Sequence, residues 1–366
     1  MKKTVAILSN HHAWTYNLRA EIIEKLIDNG YRVVVLVGYG NRVDDLIKMG
    51  CEFVDVPVDR HSKNPIGELK LMYLYFKVLR NINPDVVLSY TIKPNLYGAV
   101  VCRMLNIPII TNITGLGTAV EYPGLMRTLL ISVYKLVFKK VHLVFFQNEA
   151  NKQLFLDKKI VKDNYDLLPG SGVNIDKFKY LEYPQTKDVE FIFISRVMKE
   201  KGAEEFLNAA IEIKRRYMDV KFHICGFCEQ AYEEWLQSLH NSGIINYHGM
   251  VNNVFDYLRI SHCSVLPTYY PEGMSNVLLE SCASGRPIIT TDRPGCGEIV
   301  DDGINGFIVK AKDTEDLVDK MECFIRLSHE QKKEMGLAAR QKVERCFNRN
   351  VVVDKYLNVI NSICGK

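Results

Sequence analysis

An α/β protein built from two doubly wound parallel-sheet units is what this sequence predicts, on three observations. Short apolar runs alternate with helical patterns: residues 5–8 then 18–28, 33–37 then 43–49, and 86–89 then 96–105. The alternation restarts after Pro184, with a strand at 191–195, a helix at 203–217, and strands at 221–225, 264–267 and 287–290. The 366 residues also exceed the roughly 100 to 200 of a single domain.

Taken in order, the first strand, residues 4–9, begins directly after Met1 to Lys3. That leaves no room for a signal peptide and its cleavage site, so the chain is expected to stay in the cytoplasm. Asn29-Gly30 and Asn83-Pro84-Asp85 stand where a helix hands over to a strand. The longest apolar stretch, 129–146, is interrupted by Lys135, Lys139, Lys140 and His142 and falls short of the roughly 20 apolar residues of a spanning helix. The stripe Leu125, Leu129, Val133, Leu136 and Val137, flanked by Arg127 and these lysines, has two readings. It is either a core-facing helix with a wet basic side or an interfacial helix resting on anionic lipid. Residues 69–80, with Lys70, Tyr73, Tyr75, Phe76, Lys77 and Arg80, form a second surface of that type. The two units join near residues 170–185, and the last helix, 351–363, is amphipathic.

Composition narrows the function classes. With 47% hydrophobic and 25% charged residues the chain is an ordinary globular protein. A formal charge of +4, with 47 basic residues spread along the chain, gives no nucleic-acid footprint. The ten cysteines read as reduced thiols, and the CxxC pair of Cys225 and Cys228 lacks the second ligand pair of a zinc site. His142, His223 and His262 adjoin apolar strands and read as structural. No His-Glu-x-x-His or Asp-x-Asp spacing occurs, so no metal is expected.

Open parallel sheets bind ligands at the carboxyl ends of their strands, and a cleft between two such units is the expected site. Two segments stand out there. Pro271-Glu272-Gly273-Met274-Ser275-Asn276 leads into Val277-Leu278-Leu279-Glu280, two glutamates eight residues apart on a loop entering a helix. On a helix that spacing spans about 12 Å, so the carboxylates reach two parts of an extended ligand. Free N–H groups of Gly273, Met274 and Ser275 at the helix start are expected to seat a phosphate. In the other segment, Ser195-Arg196-Val197-Met198-Lys199-Glu200-Lys201-Gly202, Arg196 and Lys201 follow a strand and can neutralise a diphosphate leaving group. Lys199 and Glu200 read as solvated.

The Arg-x4-Lys pair, the Glu-x7-Glu segment and Gly170-Ser171-Gly172-Val173-Asn174-x3-Phe178 resemble the retaining glycosyltransferase family 4, over nearly the whole chain. A finer resemblance, to bacterial N-acetylgalactosaminyltransferases that extend polyprenyl-diphosphate-linked oligosaccharides, rests on three segments. They are Asn112-Ile113-Thr114-Gly115-Leu116-Gly117, Gln147-Asn148-Glu149, and Arg60-His61-Ser62-x-Asn64-Pro65.

The resemblance implies a GT-B fold, two Rossmann-like domains facing each other across a cleft. An acceptor domain would span 1–180, a nucleotide-sugar domain 181–345, and a last helix, 346–366, would cross back to the first. It further implies that Arg196 and Lys201 bind the diphosphate, Glu272 the donor sugar and Glu280 the ribose. Gly249, Val251 and the rest of the loop to Asn253 would meet the base, with Gly273, Met274, Ser275 and Asn276 lining the donor site. Asn10, His11, His12, Lys93, Thr114, Gly115 and Gly117 are the candidates on the acceptor side. Many family members carry histidine at the Thr114 position and another in the region of Ser89 to Thr91, where this chain has none.

The reaction implied is front-face transfer of a hexose or N-acetylhexosamine from a UDP-sugar, with no resident cofactor and no dedicated base. The acceptor would be a polyprenyl-diphosphate-linked saccharide, at an anionic membrane surface on the cytoplasmic face of the inner membrane. A GT-B sugar-nucleotide epimerase and an inactive sugar-nucleotide-binding homologue are the alternatives. A dinucleotide oxidoreductase is disfavoured because Ser9-Asn10-His11-His12-Ala13 has no Gly-x-Gly-x-x-Gly fingerprint.

Overall fold

A computed structural model describes residues 2–59, 64–121 and 123–365. It divides into two compact units, Met1–Ser171 with Arg349–Lys366, and Gly172–Asn348. The first division thus falls near residue 171 rather than 180, and the chain re-enters the first unit at Arg349 rather than 346.

In the first unit, β1 (Thr4–Leu8), β2 (Arg32–Val37), β3 (Glu52–Asp55), β4 (Val86–Tyr90), β5 (Ile109–Ile113), β6 (Leu143–Phe146) and β7 (Tyr165–Leu167) form an all-parallel sheet, ordered β3-β2-β1-β4-β5-β6-β7. Strands β1 and β4 are buried on both faces, which is why they read as mostly apolar runs without polar alternation. Lys3 pairs with Asp85, whose carboxylate also accepts the Thr4 N–H, so the breaker after the helix Pro65–Ile82 registers β1 against β4. The 129–146 stretch is not one element. It divides into the helix Leu125–Val137, a turn, and β6.

The last helix, Arg349–Cys364, belongs to this unit. Val352, Val353, Tyr356 and Ile360 enter the core on one face of the sheet, each apolar side chain contributing about 1.5 to 3 kcal/mol before entropy is subtracted. Buried Arg349 pairs with Glu21 and donates to the Asn17 carbonyl, and Asn112 donates to the Tyr356 hydroxyl.

In the second unit, β8 (Glu190–Ile194), β9 (Lys221–Cys225), β10 (Asn246–Tyr247), β11 (Cys263–Leu266), β12 (Ile288–Thr291) and β13 (Gly306–Val309) repeat the plan in the order β10-β9-β8-β11-β12-β13. In each sheet the chain reverses its direction of growth once, between β1 and β4 and between β8 and β11. Connections leave the two strands in opposite directions there and open a crevice at their carboxyl ends.

Arg286 is the largest fully buried side chain of this unit. Its guanidinium donates to the carbonyls of Leu258, Leu181 and Glu182, and burial pulls it down to about 10, still charged at neutral pH. It ties the incoming linker to the sheet. Arg286→Met is expected to cost about 3 to 5 kcal/mol, because it leaves several buried carbonyls without a donor. Guanidinium unfolding would show this, and a loss below about 1 kcal/mol would refute that role.

Candidate active site

The carboxyl end of β8 carries the first cationic segment. Ser195 N–H donates to the Cys225 carbonyl (3.0 Å) and Val197 N–H to that of Phe227 (2.8 Å), so the segment runs beside the chain leaving β9 before turning away. Two glycines permit this. A methyl group on Gly226 (φ +145°) would overlap the Ser195 carbonyl oxygen, and one on Gly202 (φ +76°) would overlap that of Pro267. The loops following β8 and β11 therefore touch at backbone level. Tyr269 N–H and the Thr268 hydroxyl both donate to the Glu200 carbonyl, at 2.9 and 3.1 Å, and Thr291 Oγ1 donates to Thr268 O at 2.6 Å.

This stitching brings sequence-distant charges together. Lys201 Nζ donates to Glu272 Oε1, with the side chains only 12% and 15% exposed. The Tyr270 ring lies 5.0 Å from Lys201 Nζ and 5.9 Å from Arg196 Cζ, within cation–π range of both. Arg196 is exposed, and among the described residues it has no ion-pair partner. Arg196, Lys201 and Glu272 thus stand at the switch point of the second sheet, where cations can meet a polyanion.

The helix that follows spans Asn276–Ala283, with Ser275 at its N-cap. Glu272 therefore precedes the helix and Glu280 lies inside it, so the twelve-ångström helical separation expected from the eight-residue spacing does not apply. The expected trio of free N–H groups also needs correction. Ser275 N–H donates to the Gly295 carbonyl at 2.8 Å, because the loop after β12 presses against this segment. The donors left over by the helix start are those of Asn276, Val277 and Leu278, since Leu279 N–H already bonds to Ser275 O. Gly273, Met274 and Ser275 are buried, whereas Asn276 and Glu280 are partly exposed.

Gly249 opens the neighbouring loop at φ +65°, and its carbonyl accepts the Gly226 N–H at 2.8 Å. Val251 packs against the apolar cluster that includes Ile194 and Leu258, and Asn253 caps the helix Val254–Ile260.

In the first unit, three loops leave the carboxyl ends of β1, β4 and β5. His11 caps the helix His12–Asp28, its Nδ1 accepting Ala13 N–H at 3.2 Å, and its ring stacks on His12 at 4.6 Å. The His12 ring fills the space over Gly40, and burial lowers its pKa. Asn10 Oδ1 is buried without a hydrogen-bond partner. Lys93 pairs with Glu68 at 2.5 Å and donates to the Asp59 carbonyl at 2.6 Å, so its charge is already balanced. Thr114, Gly115 and Gly117 form a partly exposed turn after β5, both glycines at positive φ. Arg60, His61 and Ser62 lie outside the described residues.

Sequence reasoning passed over Tyr270, Gly226 and Thr91. Tyr270 adjoins the Pro271-Glu272 motif, and Gly226 directly follows a recognised strand, which were the available signals. Thr91 gave none. It is a β-branched residue at φ 72°, ψ 166°, at the end of β4 with a buried, unbonded hydroxyl, a strained geometry of the kind that concentrates at functional loops.

Known proteins match this arrangement. The family model described as "Glycosyl transferases group 1" matches residues 176–342, and one described as "Glycosyl transferase 4-like" matches residues 4–148. The N,N'-diacetylbacillosaminyl-diphospho-undecaprenol alpha-1,3-N-acetylgalactosaminyltransferase of Campylobacter jejuni is 26% identical over 98% of each chain. The chain is a family 4-like glycosyltransferase.

The glycosyltransferase is also 24% identical to the capsular polysaccharide biosynthesis glycosyltransferase CapM of Staphylococcus aureus, over 80% of each chain. Its fold is GT-B. A glycosyltransferase from Rickettsia africae superposes with a TM-score of 0.80 at 20% identity over 99% of each chain. Anabaena HepE in complex with UDP and glucose does so with a TM-score of 0.80 at 14% identity, over 99% of this chain and all of that one. The motif residues Arg196, Lys201, Glu272 and Glu280 all fall within the group 1 match.

Proposed function

We propose that this glycosyltransferase moves a hexosyl or N-acetylhexosaminyl group from a UDP-sugar to a polyprenyl-diphosphate-linked saccharide, with retention of anomeric configuration. The observation that carries the proposal is the convergence of Arg196, Lys201 and Glu272 beside the start of the helix Asn276–Ala283. In the reaction the bond from the anomeric carbon to the β-phosphate oxygen breaks and one to the acceptor oxygen forms. The acceptor hydroxyl proton passes to the departing phosphate. Arg196 and Lys201 stabilise the charge that grows on the diphosphate, Glu272 orients sugar hydroxyls, and Glu280 holds the ribose. The activity for which the Campylobacter relative is named supports the acceptor class.

Calorimetric titration with UDP, GDP and ADP, with and without magnesium, tests the donor. Selective UDP binding independent of magnesium is expected, and no binding by any of the three would overturn the reading.

The acceptor class calls for a membrane, and we place the cytoplasmic face of the bacterial inner membrane against the first unit. Among the described residues no helix is long and apolar enough to cross a bilayer. The helix Leu125–Val137 instead presents two apolar rows. Tyr134 and Val137 face the core, whereas Leu125 (92% exposed), Leu129 (60%) and Leu136 (62%) face outward, with exposed Lys135, Lys139 and Lys140 beside them. The helix Pro65–Ile82 repeats this with exposed Ile66, Leu69 and Tyr73 among Lys70, Lys77 and Arg80. Apolar rows rimmed by basic residues fit anionic lipid, each cation adding about 1 kcal/mol near the surface. Leu129→Ser with Leu136→Ser is expected to weaken sedimentation with phosphatidylglycerol vesicles by about tenfold or more, while leaving UDP binding unchanged. Equal sedimentation of both proteins would remove the helix from the contact.

A further inference from the structure

The second unit holds a buried polar chain that the diphosphate site does not use. The β8–β9 register pairs Glu190 with Lys221 and Ile192 with His223, and β10 lies along β9 with Asn246 opposite His223. Glu190 Oε2 is 2.9 Å from His223 Nε2, and His223 Nδ1 is 3.0 Å from His248 Nε2. Lys221 Nζ holds the other carboxylate oxygen at 3.0 Å. Glu190 and His223 are under 10% exposed, whereas His248 is partly exposed and immediately precedes Gly249. A buried chain therefore leads from the start of β8 to the loop 249–253.

The hydrogen-bond pattern assigns the tautomers. An ionised Glu190 only accepts, so His223 carries its proton on Nε2. The Nδ1 atom of neutral His223 then accepts, which requires the His248 proton on Nε2 and leaves His248 Nδ1 a lone pair. Among the described residues that atom has no hydrogen-bond partner, and it is not one of the fully buried polar atoms. A proton added to the pair reverses the chain. His223 becomes a double donor, His248 Nε2 accepts, and His248 Nδ1 acquires a hydrogen.

We propose that His248 is a specificity-determining residue that accepts a hydrogen bond from the imino N–H of the donor nucleobase, with Glu190 and His223 as positioning residues that hold it in the accepting tautomer. The proposal rests on reading Gly249–Asn253 as the nucleoside loop. A uracil presents such an N–H, whereas cytosine presents a lone pair at the same ring position. Protonation of the histidine pair turns the acceptor into a donor, so uridine nucleotides bind less tightly in acid.

The groups around the chain agree with this. Burial acts to raise the Glu190 carboxyl, but hydrogen bonds from His223 and Lys221 outweigh it and hold the group below the ordinary carboxylate range. Burial, then the neighbouring His223 and His240, lower His248, which favours its neutral ring. Lys221 and Asp188 stand at the Glu190 end, and His262 Nδ1 accepts the Glu190 N–H. At the other end Tyr257 lies 4.5 Å from the His248 ring, and His240 Nδ1 accepts the Tyr247 N–H.

The test is calorimetric titration of the full chain with UDP and CDP from pH 5.5 to 8.5, for wild type, His248→Phe and Glu190→Gln. One hydrogen bond corresponds to about tenfold in affinity. Wild type is expected to lose about that much UDP affinity on acidification beyond whatever loss remains in His248→Phe, which belongs to the terminal phosphate of UDP itself. Glu190→Gln keeps the shape but removes the anion that favours a protonated pair, so its midpoint is expected at lower pH. His248→Phe is expected to narrow the preference for UDP over CDP. Identical pH profiles in all three proteins, or an unchanged UDP to CDP ratio, would overturn the proposal while leaving the donor site standing. Absence of nucleotide binding by wild type at every pH would overturn both.

Discussion

Lys201→Ala is expected to lower turnover by two to three orders of magnitude. Removing one preorganised donor from a site of developing negative charge typically has that effect, because nothing reorganises in time to replace it. In the proposed reaction Lys201 is such a donor: its ammonium is mostly buried, packed by Tyr270 and held by Glu272. The loss should fall mainly on kcat with the UDP-sugar donor, since charge on the diphosphate is larger in the transition state than in the ground state. Glu272→Gln separates the two partners, because it removes the charge from the pair while keeping a polar group near the sugar. Turnover within threefold of wild type for Lys201→Ala would take that residue out of the site.

Gly226→Ala is expected to destabilise the second unit by on the order of 3 kcal/mol and to abolish donor binding at ordinary concentrations. The new methyl group would occupy the position of the Ser195 carbonyl oxygen, at a φ of +145° that alanine rarely adopts. Neither strand end can yield cheaply, since Ser195 N–H is bonded to Cys225 O and Gly226 N–H to Gly249 O. Any accommodation moves the chain that presents Arg196. Gly249→Ala is the control, because its methyl group would meet no atom within 4 Å and it bears only the cost of a positive φ, about 1 kcal/mol. Comparable melting temperatures for the two variants would contradict the close packing assigned to Gly226.

The parts of the fold that were legible are the parts whose side chains meet the same environment all round. The central strands β1, β2, β4, β8 and β9 are almost wholly buried on both faces, and their sequences are mostly apolar, with polar residues chiefly at their starts. Edge strands gave no such signal. Glu52–Asp55 and Tyr165–Leu167 are only partly covered, and Asn246–Tyr247 is two residues long. Helix starts were placed late where the cap was unusual, as at His11, whose ring nitrogen does the work of a serine or aspartate hydroxyl or carboxylate.

By itself the sequence determined the two-unit α/β plan, because burial of a parallel sheet imposes a pattern on consecutive residues that composition and spacing record directly. It also singled out Arg196, Lys201 and Glu272 as candidate site residues, since they follow strands in recognisable motifs. Tertiary structure alone decided which of them meet. Lys201 and Glu272 are 71 residues apart, and only the adjacency of β8 and β11 joins them. The same holds for the Ser275 N–H committed to Gly295, the Lys93 charge balanced by Glu68, and the glutamate–histidine chain ending at His248. Local sequence carries local periodicity, whereas pairing across a sheet is settled by strand order and loop contact, which no short window of residues encodes.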